Sequence, residues 1–368
     1  MTRPAVGEQT TLAERKRRAA QRLILGFEGV SPSADFKAFV AEAAPAGFIL
    51  FARNIEEPAQ VAELNRELAS MVPEHAPALL SVDQEGGRVL RVRDTPWPPM
   101  RWLGNIDDVQ ITQQTAAAMG AELRAMGFNL DWAPCADVDS NPDNPVIGDR
   151  SFSRDPDVVS RHVMAFLNGL HQVGVMGSVK HFPGHGDTNL DSHLDLPVVD
   201  KDVGDLEHLE LAPFKAAVQH GAELVMSAHV MFPALDESVP ATMSSPILRG
   251  WLREKLGYSG VLVSDDMEMG AVRGRYPLEQ QLDMATRASM DLFLMCKSLD
   301  LQVEAWETLI RLSEQDKRHD DLTADSLRRL AALREKYLID PPAAPPLAVV
   351  GGRSNKDLAS LLDVRGRA

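Results

Sequence analysis

Cysteine is nearly absent: Cys135 and Cys296 are the only two in 368 residues, and they lie far apart. That excludes a disulfide framework and any zinc-ligand spacing, and each is expected as a small buried apolar residue. Positive charge is in deficit, with 38 Lys and Arg against 53 Asp and Glu and a formal net charge of −15. A nucleic-acid partner would then need a concentrated basic patch. The one candidate, Arg15-Lys16-Arg17-Arg18 continuing to Arg22, reads as the solvated face of an N-terminal helix, so no nucleic acid is expected. No apolar run approaches the ~20 residues of a membrane span. Leu23 to Phe27 is too short for the apolar region of a signal sequence, and Glu28 ends it. A cytoplasmic protein with no membrane partner is the expectation.

What is present is an alternation. Short apolar runs stand at Leu23–Phe27, Gly47–Phe51, Leu79–Val82, Leu130–Ala133, Ser178–His181, Leu224–Ser227, Val261–Ser264 and Leu292–Met295. Each has the length and near-continuous apolarity of a strand buried on both faces. Between them, segments such as Ala59–Met71, Ile111–Met126, Pro156–Val173, Leu209–His220 and Leu278–Ser289 read as amphipathic helices. Eight strands alternating with helices predict a single (β/α)8 barrel, with irregularity allowed, and an N-terminal helix. An open doubly wound sheet is the rival, but no Gly-rich dinucleotide fingerprint follows the first run. The last helix is expected to end near Tyr337. The barrel domain is drawn as residues 1–340, and residues 341–368 as a Pro-rich break and a C-terminal tail. That tail is free to pack on the barrel, to stay mobile or to reach a second subunit, and the oligomeric state is left open.

Polar residues follow the runs. Asp83 comes after the third, Lys180 and His181 end the fifth, His229 follows the sixth and Asp265 ends the seventh. In a parallel barrel these positions converge on one rim. The densest stretch is Lys180 to His193, which holds three of the ten histidines, at 181, 185 and 193. Asp191 and His193 are separated only by Ser192, and a short turn can set the carboxylate on one imidazole nitrogen, leaving the other to give and take a proton. An ordinary Asx turn is the alternative. A metal site built from His181, His185, Asp187, Asp191 and His193 is a further reading. It is disfavoured because barrel metallohydrolases gather ligands from several strands, so no metal is expected. Asp265, held by a buried strand, suits a nucleophile; a structural cap or ion-pair partner is equally compatible with the local sequence. Asp266 is expected to point elsewhere, with capping of the next helix as one role open to it. Asp83 can accept hydrogen bonds from neighbouring hydroxyls of a sugar, and Arg91 can pair with Asp83 or reach a ligand. Arg150 is either a ligand contact or half of a surface salt bridge.

Together these motifs resemble the bacterial β-N-acetylglucosaminidases of glycoside hydrolase family 3. The resemblance runs from about Leu23 to Lys297. It is carried by Gly47 to Asn54, Asp83-Gln84-Glu85-Gly86-Gly87-Arg88-Val89, Asn129 to Pro134, Gly148-Asp149-Arg150-Ser151-Phe152, the Lys180 to His193 loop, and Ser264-Asp265-Asp266-Met267. The resemblance implies Asp265 as nucleophile and His193 as general acid/base with Asp191 as its partner. It implies Asp83, Arg91, Arg150, Lys180 and His181 as holders of a terminal N-acetylglucosamine. It further implies no cofactor and, as partner, an N-acetylglucosamine-containing muropeptide or oligosaccharide met in peptidoglycan recycling. A phosphorylase, or a glycosidase acting on chitin fragments or other glycoconjugates, is the alternative. One departure stands out: Ala288-Ser289-Met290-Asp291 replaces the family's frequent Ala-Gly-x-Asp, a change expected to affect packing before the rim.

Overall fold

Strands β1 (Leu23–Leu25), β2 (Gly47–Leu50), β3 (Leu79–Val82), β6 (Leu130–Asp131), β7 (Met176–Phe182), β8 (Leu224–Ser227), β9 (Val261–Asp266) and β10 (Leu292–Met295) close into a barrel. This is a computed structural model, and it describes residues 10–190, 192 and 195–367. Every neighbouring pair is parallel, and β1 closes the ring on β10 with Leu23 opposite Phe293. Strands β4 (Gln84–Gly86) and β5 (Val89–Leu90) form a small antiparallel hairpin outside the ring.

The helices are α1 (Leu12–Ala20), α2 (Ala34–Ala43), α3 (Pro58–Ser70), α4 (Met100–Ile106), α5 (Val109–Ala125), α6 (Pro156–Gln172), α7 (Val203–His208), α8 (Leu211–His220), α9 (Gly270–Arg273), α10 (Leu278–Arg287), α11 (Leu299–Gln315), α12 (Lys317–Tyr337) and α13 (Arg353–Gly366). Several starts follow from capping: Ser33, Asp108, Asp155 and Ser298 each accept a first-turn N–H, and Pro156 occupies the first turn of α6. Among the described residues no helix is long and apolar enough to cross a membrane.

The continuous apolarity of the strands has a direct cause. Successive side chains point to opposite faces. Ile24, Ile49, Leu79, Leu130, Met176, Leu224, Val261, Val263, Leu292 and Leu294 fill the barrel interior. Leu23, Leu25, Phe48, Leu50, Leu80, Val82, Val225 and Phe293 face the helices in the larger outer core. Leu330 and Leu333 of α12 join the interior set, so α12 closes the N-terminal mouth. Arg334 of α12 donates to the Ala46 and Pro77 carbonyls there.

The basic N-terminal run divides. Arg15, Lys16 and Arg18 pair with Glu314, Glu42 and Asp320. Arg22 departs from the solvated-face expectation: it is fully buried and donates to the Met290 and Asp291 carbonyls and to Thr323. Ser289 has its own local account. It lies ahead of β10, on the side away from the rim, in the left-handed region at φ 84°. That conformation costs an L-residue about 1–2 kcal/mol. The serine hydroxyl accepts the Arg253 Nε–H at 2.8 Å, a bond that glycine could not make, and the Ser289 carbonyl accepts an Nη2–H at 3.3 Å. Beyond Pro346 the tail forms a short turn, Leu347–Val349, and then α13, which packs against α4.

Candidate active site

The C-terminal ends of the strands surround a cavity of about 220 Å3. Its wall includes Phe51 beyond β2, Asp83 beyond β3, Arg91 beyond β5, Trp132 beyond β6, Lys180 and His181 of β7, Asp265 and Asp266 of β9, and Cys296 beyond β10. Arg150 enters from the long loop after β6, and His185 and Ser192 from the loop after β7. A larger hollow of about 540 Å3 lies at the opposite mouth, against α12. Its charges are already paired, Arg329 with Asp291 and Lys336 with Glu223, each at 2.7 Å, and among its lining residues is the N-terminal end of β9 at Val261 but no C-terminal strand end. The rim cavity is therefore the site, as the barrel architecture leads one to expect.

Six of the residues singled out from the sequence, Asp83, Arg91, Arg150, Lys180, His181 and Asp265, share this one wall. Arg150 is not half of a surface salt bridge. Its neighbour Asp149 takes that role with Arg88 at 3.4 Å, while Arg150 turns inward. There it grips Glu85 through two parallel bonds, Nε and Nη2 each at 2.8 Å. Lys180 Nζ lies 2.6 Å from Glu85 and 2.8 Å from Asp83, and Arg91 lies 3.6 Å from Asp83. Burial opposes the charge on Glu85, yet the Arg150 and Lys180 cations hold its carboxyl well below the usual range. Burial likewise opposes the charge on Lys180 and Arg150, and the carboxylates reverse it, raising both. The result is a nearly balanced ion cluster with fixed geometry and donors turned to the cavity.

Two carboxyls and an imidazole support this wall. Asp137 is buried; it accepts His181 Nδ1 at 2.7 Å, the His181 N–H at 3.2 Å and the His185 N–H at 2.6 Å. Burial would raise its pKa, but the histidines and these bonds keep it low. Asp131 accepts the Gln84 N–H at 2.9 Å, and burial pushes its carboxyl well above the usual range. The Thr188 hydroxyl donates to the His185 carbonyl at 3.1 Å, so His185 Nδ1–H donates to Thr188 Oγ at 2.8 Å. That leaves Nε2 to accept the Ser192 hydroxyl at 3.0 Å. Burial, then the facing His181, push the His185 pKa down to about 4, consistent with this neutral form. Ser192 is held a second time, its carbonyl accepting the Ala271 N–H of α9 at 3.2 Å.

Among the described residues, Cys135, Asp137 and His181 are the one group whose ligand-type atoms come within 4.8 Å of one another. They form a hydrogen-bonded set in which the Cys135 thiol and His181 Nδ1 both meet Asp137. Both cysteines are free and buried.

Asp265 is the last residue but one of β9, and its Oδ1 accepts the Asp266 N–H at 2.8 Å. Asp266 does not cap α9, whose N-cap is Met269. Its carboxyl accepts the Glu268 N–H at 3.1 Å and the Cys296 N–H at 3.3 Å, tying β9 to β10 beside the cavity. Burial, then the Glu268 and Asp265 charges, push its pKa up to about 7. The unfolded value is near ~3.9. Folded Asp266 thus holds a proton that the unfolded chain has lost, and its contribution to stability falls as pH rises from about 4 to 7. Asp266→Asn removes that loss. Its melting temperature relative to the unsubstituted protein is expected to climb across the same window and then level off. A pH-independent difference in thermal unfolding would refute this.

Residues 18–333 match the glycosyl hydrolase family 3 N-terminal domain. This chain belongs to glycoside hydrolase family 3. Its relatives include the β-hexosaminidase of Nitrosomonas eutropha, 39% identical over 262 residues covering 69% of this chain and 74% of that protein. The β-hexosaminidase of Thiobacillus denitrificans is 36% identical over 77% of this chain and 80% of its own length. Among solved structures, a family 3 β-N-acetylglucosaminidase from Paenibacillus superposes with a TM-score of 0.90 at 37% identity, over 95% of this chain and 68% of that one. A Neisseria gonorrhoeae structure in complex with N-trifluoroacetyl-D-glucosamine gives 0.77 at 29% identity, over 94% of this chain and 98% of the other.

For this family 3 member, Asp191 and His193 lie outside the described residues. Ser192, between them in sequence, lines the same cavity as Asp265. Glu85 and Asp137 went unrecognised in the sequence as parts of the site. Glu85 carried a signal, because it stands two residues from Asp83 in an extended segment and so faces the same side. Asp137 carried none, since its partners His181 and His185 are more than forty residues away.

Proposed function

We propose that this chain is a retaining β-N-acetylglucosaminidase that removes the terminal non-reducing N-acetylglucosamine of muropeptides, in the cytoplasm, during peptidoglycan recycling. The observation that carries the reading is the shared cavity, which Asp265 lines together with Asp83, Arg91, Arg150, Lys180 and His181. Asp83 and the cations around it offer acceptors and donors for sugar hydroxyls. Asp265 attacks the anomeric carbon while His193, oriented by Asp191, protonates the departing oxygen. The covalent glycosyl-enzyme is then hydrolysed by a water that His193 deprotonates. An imidazole with an ordinary pKa near ~6.5 gives and takes protons near neutrality. It also adds no negative charge opposite an anionic aglycone. The relatives named as β-hexosaminidases support the sugar specificity.

The test is a panel of aryl β-glycosides and a muropeptide. The N-acetylglucosaminide is expected to be cleaved with kcat/KM at least about a hundredfold above the glucoside and xyloside, since a site built to hydrogen-bond a polar group discriminates by that much or more. The first-formed sugar should keep the β configuration by proton NMR; α product would exclude the retaining route. His193→Ala should slow a substrate with a poor leaving group by about 10²–10⁴, the usual range for a proton-transfer catalyst, and an activated aryl glycoside far less. Equal slowing of both would remove His193 from the acid role. Sugar 1-phosphate formed at a competitive rate in phosphate buffer would replace hydrolysis by phosphorolysis.

A further inference from the structure

The geometry points to α13 as a positioning element for the sugar-binding arginine: by clamping α4 it holds the Gly148–Phe152 segment that aims Arg150 into the cavity. This rests on the reading of Arg150 as a substrate contact. The contacts form a continuous chain. The Asp363 carboxylate of α13 accepts the Trp102 indole N–H at 3.1 Å, and the Gly366 carbonyl accepts Asn105 Nδ2–H at 2.7 Å. A Cβ on Gly366 would lie 2.3 Å from Trp102 Cβ, so the two helices touch backbone to side chain with no room between.

Trp102 and Asn105 are one turn apart on α4, and Arg101 and Gly104 form the next row around the same helix. That row grips the Arg150 segment. Arg101 donates to the Gly148 and Ser151 carbonyls, each at 3.2 Å, and to Asp139 at 2.8 Å. A Cβ on Gly104 would lie 1.8 Å from the Phe152 carbonyl oxygen. Arg150 sits between the two carbonyls that Arg101 holds.

A second tie runs to the other side of the ion cluster. Buried Glu122 of α5 accepts the Gly351 N–H at 3.0 Å and Asn355 Nδ2–H at 2.8 Å from the tail. It also accepts the Trp97 indole N–H at 2.9 Å, and the Trp97 carbonyl accepts the Gly87 N–H of the hairpin turn at 2.9 Å. The tail is thus fastened both to the segment that carries Arg150 and to the hairpin that carries Glu85, the two halves of the bidentate pair.

The test uses the full chain. Gly366→Leu wedges α13 off Trp102, and Trp102→Phe with Asn105→Ala removes the two hydrogen bonds. With an aryl N-acetylglucosaminide, either variant is expected to raise KM by roughly fivefold to tenfold and to change kcat by less than about threefold, the signature of lost uniform binding. In an Arg150→Ala background the same changes should add less than about twofold to KM, because coupled residues are not additive. Full additivity, or an unchanged KM in the folded double variant, overturns the inference. If instead Arg150→Ala alone leaves KM unchanged, it is the assignment of Arg150 to the substrate that fails.

Discussion

Asp265→Ala is expected to lower kcat by roughly four orders of magnitude or more while the protein stays folded, since removing a nucleophile abolishes the covalent route rather than weakening it. The fold should tolerate the change. Asp265 stands at the open end of β9, half-buried, and the barrel interior beneath it is filled by Val261 and Val263. Its carboxylate accepts a hydrogen bond from the next residue's N–H and raises the pKa of Asp266, so its loss also relieves a like-charge contact. Thermal unfolding should shift by no more than about 3 °C, the scale of a single surface-like change in a domain of this size. Azide should restore part of the activity of Asp265→Ala and yield the α-glycosyl azide, because the small anion takes the vacated position. A variant that keeps a tenth of its activity, or that unfolds, would remove Asp265 from the role.

Glu85→Gln should be the most damaging change among residues that never touch the reacting bond. The Glu85 and Lys180 side chains are 1% and 2% exposed, and that of Arg150 is 10% exposed. Removing the carboxylate takes from Arg150 its bidentate partner and leaves Lys180 with Asp83, and breaking such a buried pair from one side costs about 3–5 kcal/mol. Its sign with pH is fixed by the depressed carboxyl. The contribution is fully present above the unfolded glutamate pKa of about 4.3 and is lost as pH falls toward the folded value. The stability gap between Glu85→Gln and the unsubstituted protein should therefore narrow below about pH 4. KM should rise by more than tenfold, as both Arg150 and Lys180 lose their aim. Unchanged denaturant midpoints together with an unchanged KM would show that the cluster is not the organising element argued above.

Some of this was legible before any coordinates. The runs Leu79–Val82, Leu224–Ser227 and Leu292–Met295 coincide with β3, β8 and β10, and the other five strands lie within a few residues of their runs. They were readable because a strand buried on both faces must be apolar along its length. The hairpin β4–β5 was not, since strands of three and two residues carry no periodicity. Arg22 read as solvated because a local pattern shows charge but not the Met290 and Asp291 carbonyls that wait for it 268 and 269 residues on. The tail after Pro346 read only as a set of alternatives, because its anchors on Glu122, Trp102 and Asn105 belong to another part of the chain.

By itself, then, the sequence determined the set and order of the barrel strands and which polar side chains stand at their C-terminal ends, because strand direction in a parallel barrel leaves no choice of rim. Only the tertiary structure decided which charges those side chains meet. Glu85 between Arg150 and Lys180, Asp137 beneath His181, and Glu122 at the root of the tail are all pairings across long stretches of chain. A buried charge is stable only through its partners in space, and spacing along the chain does not specify them.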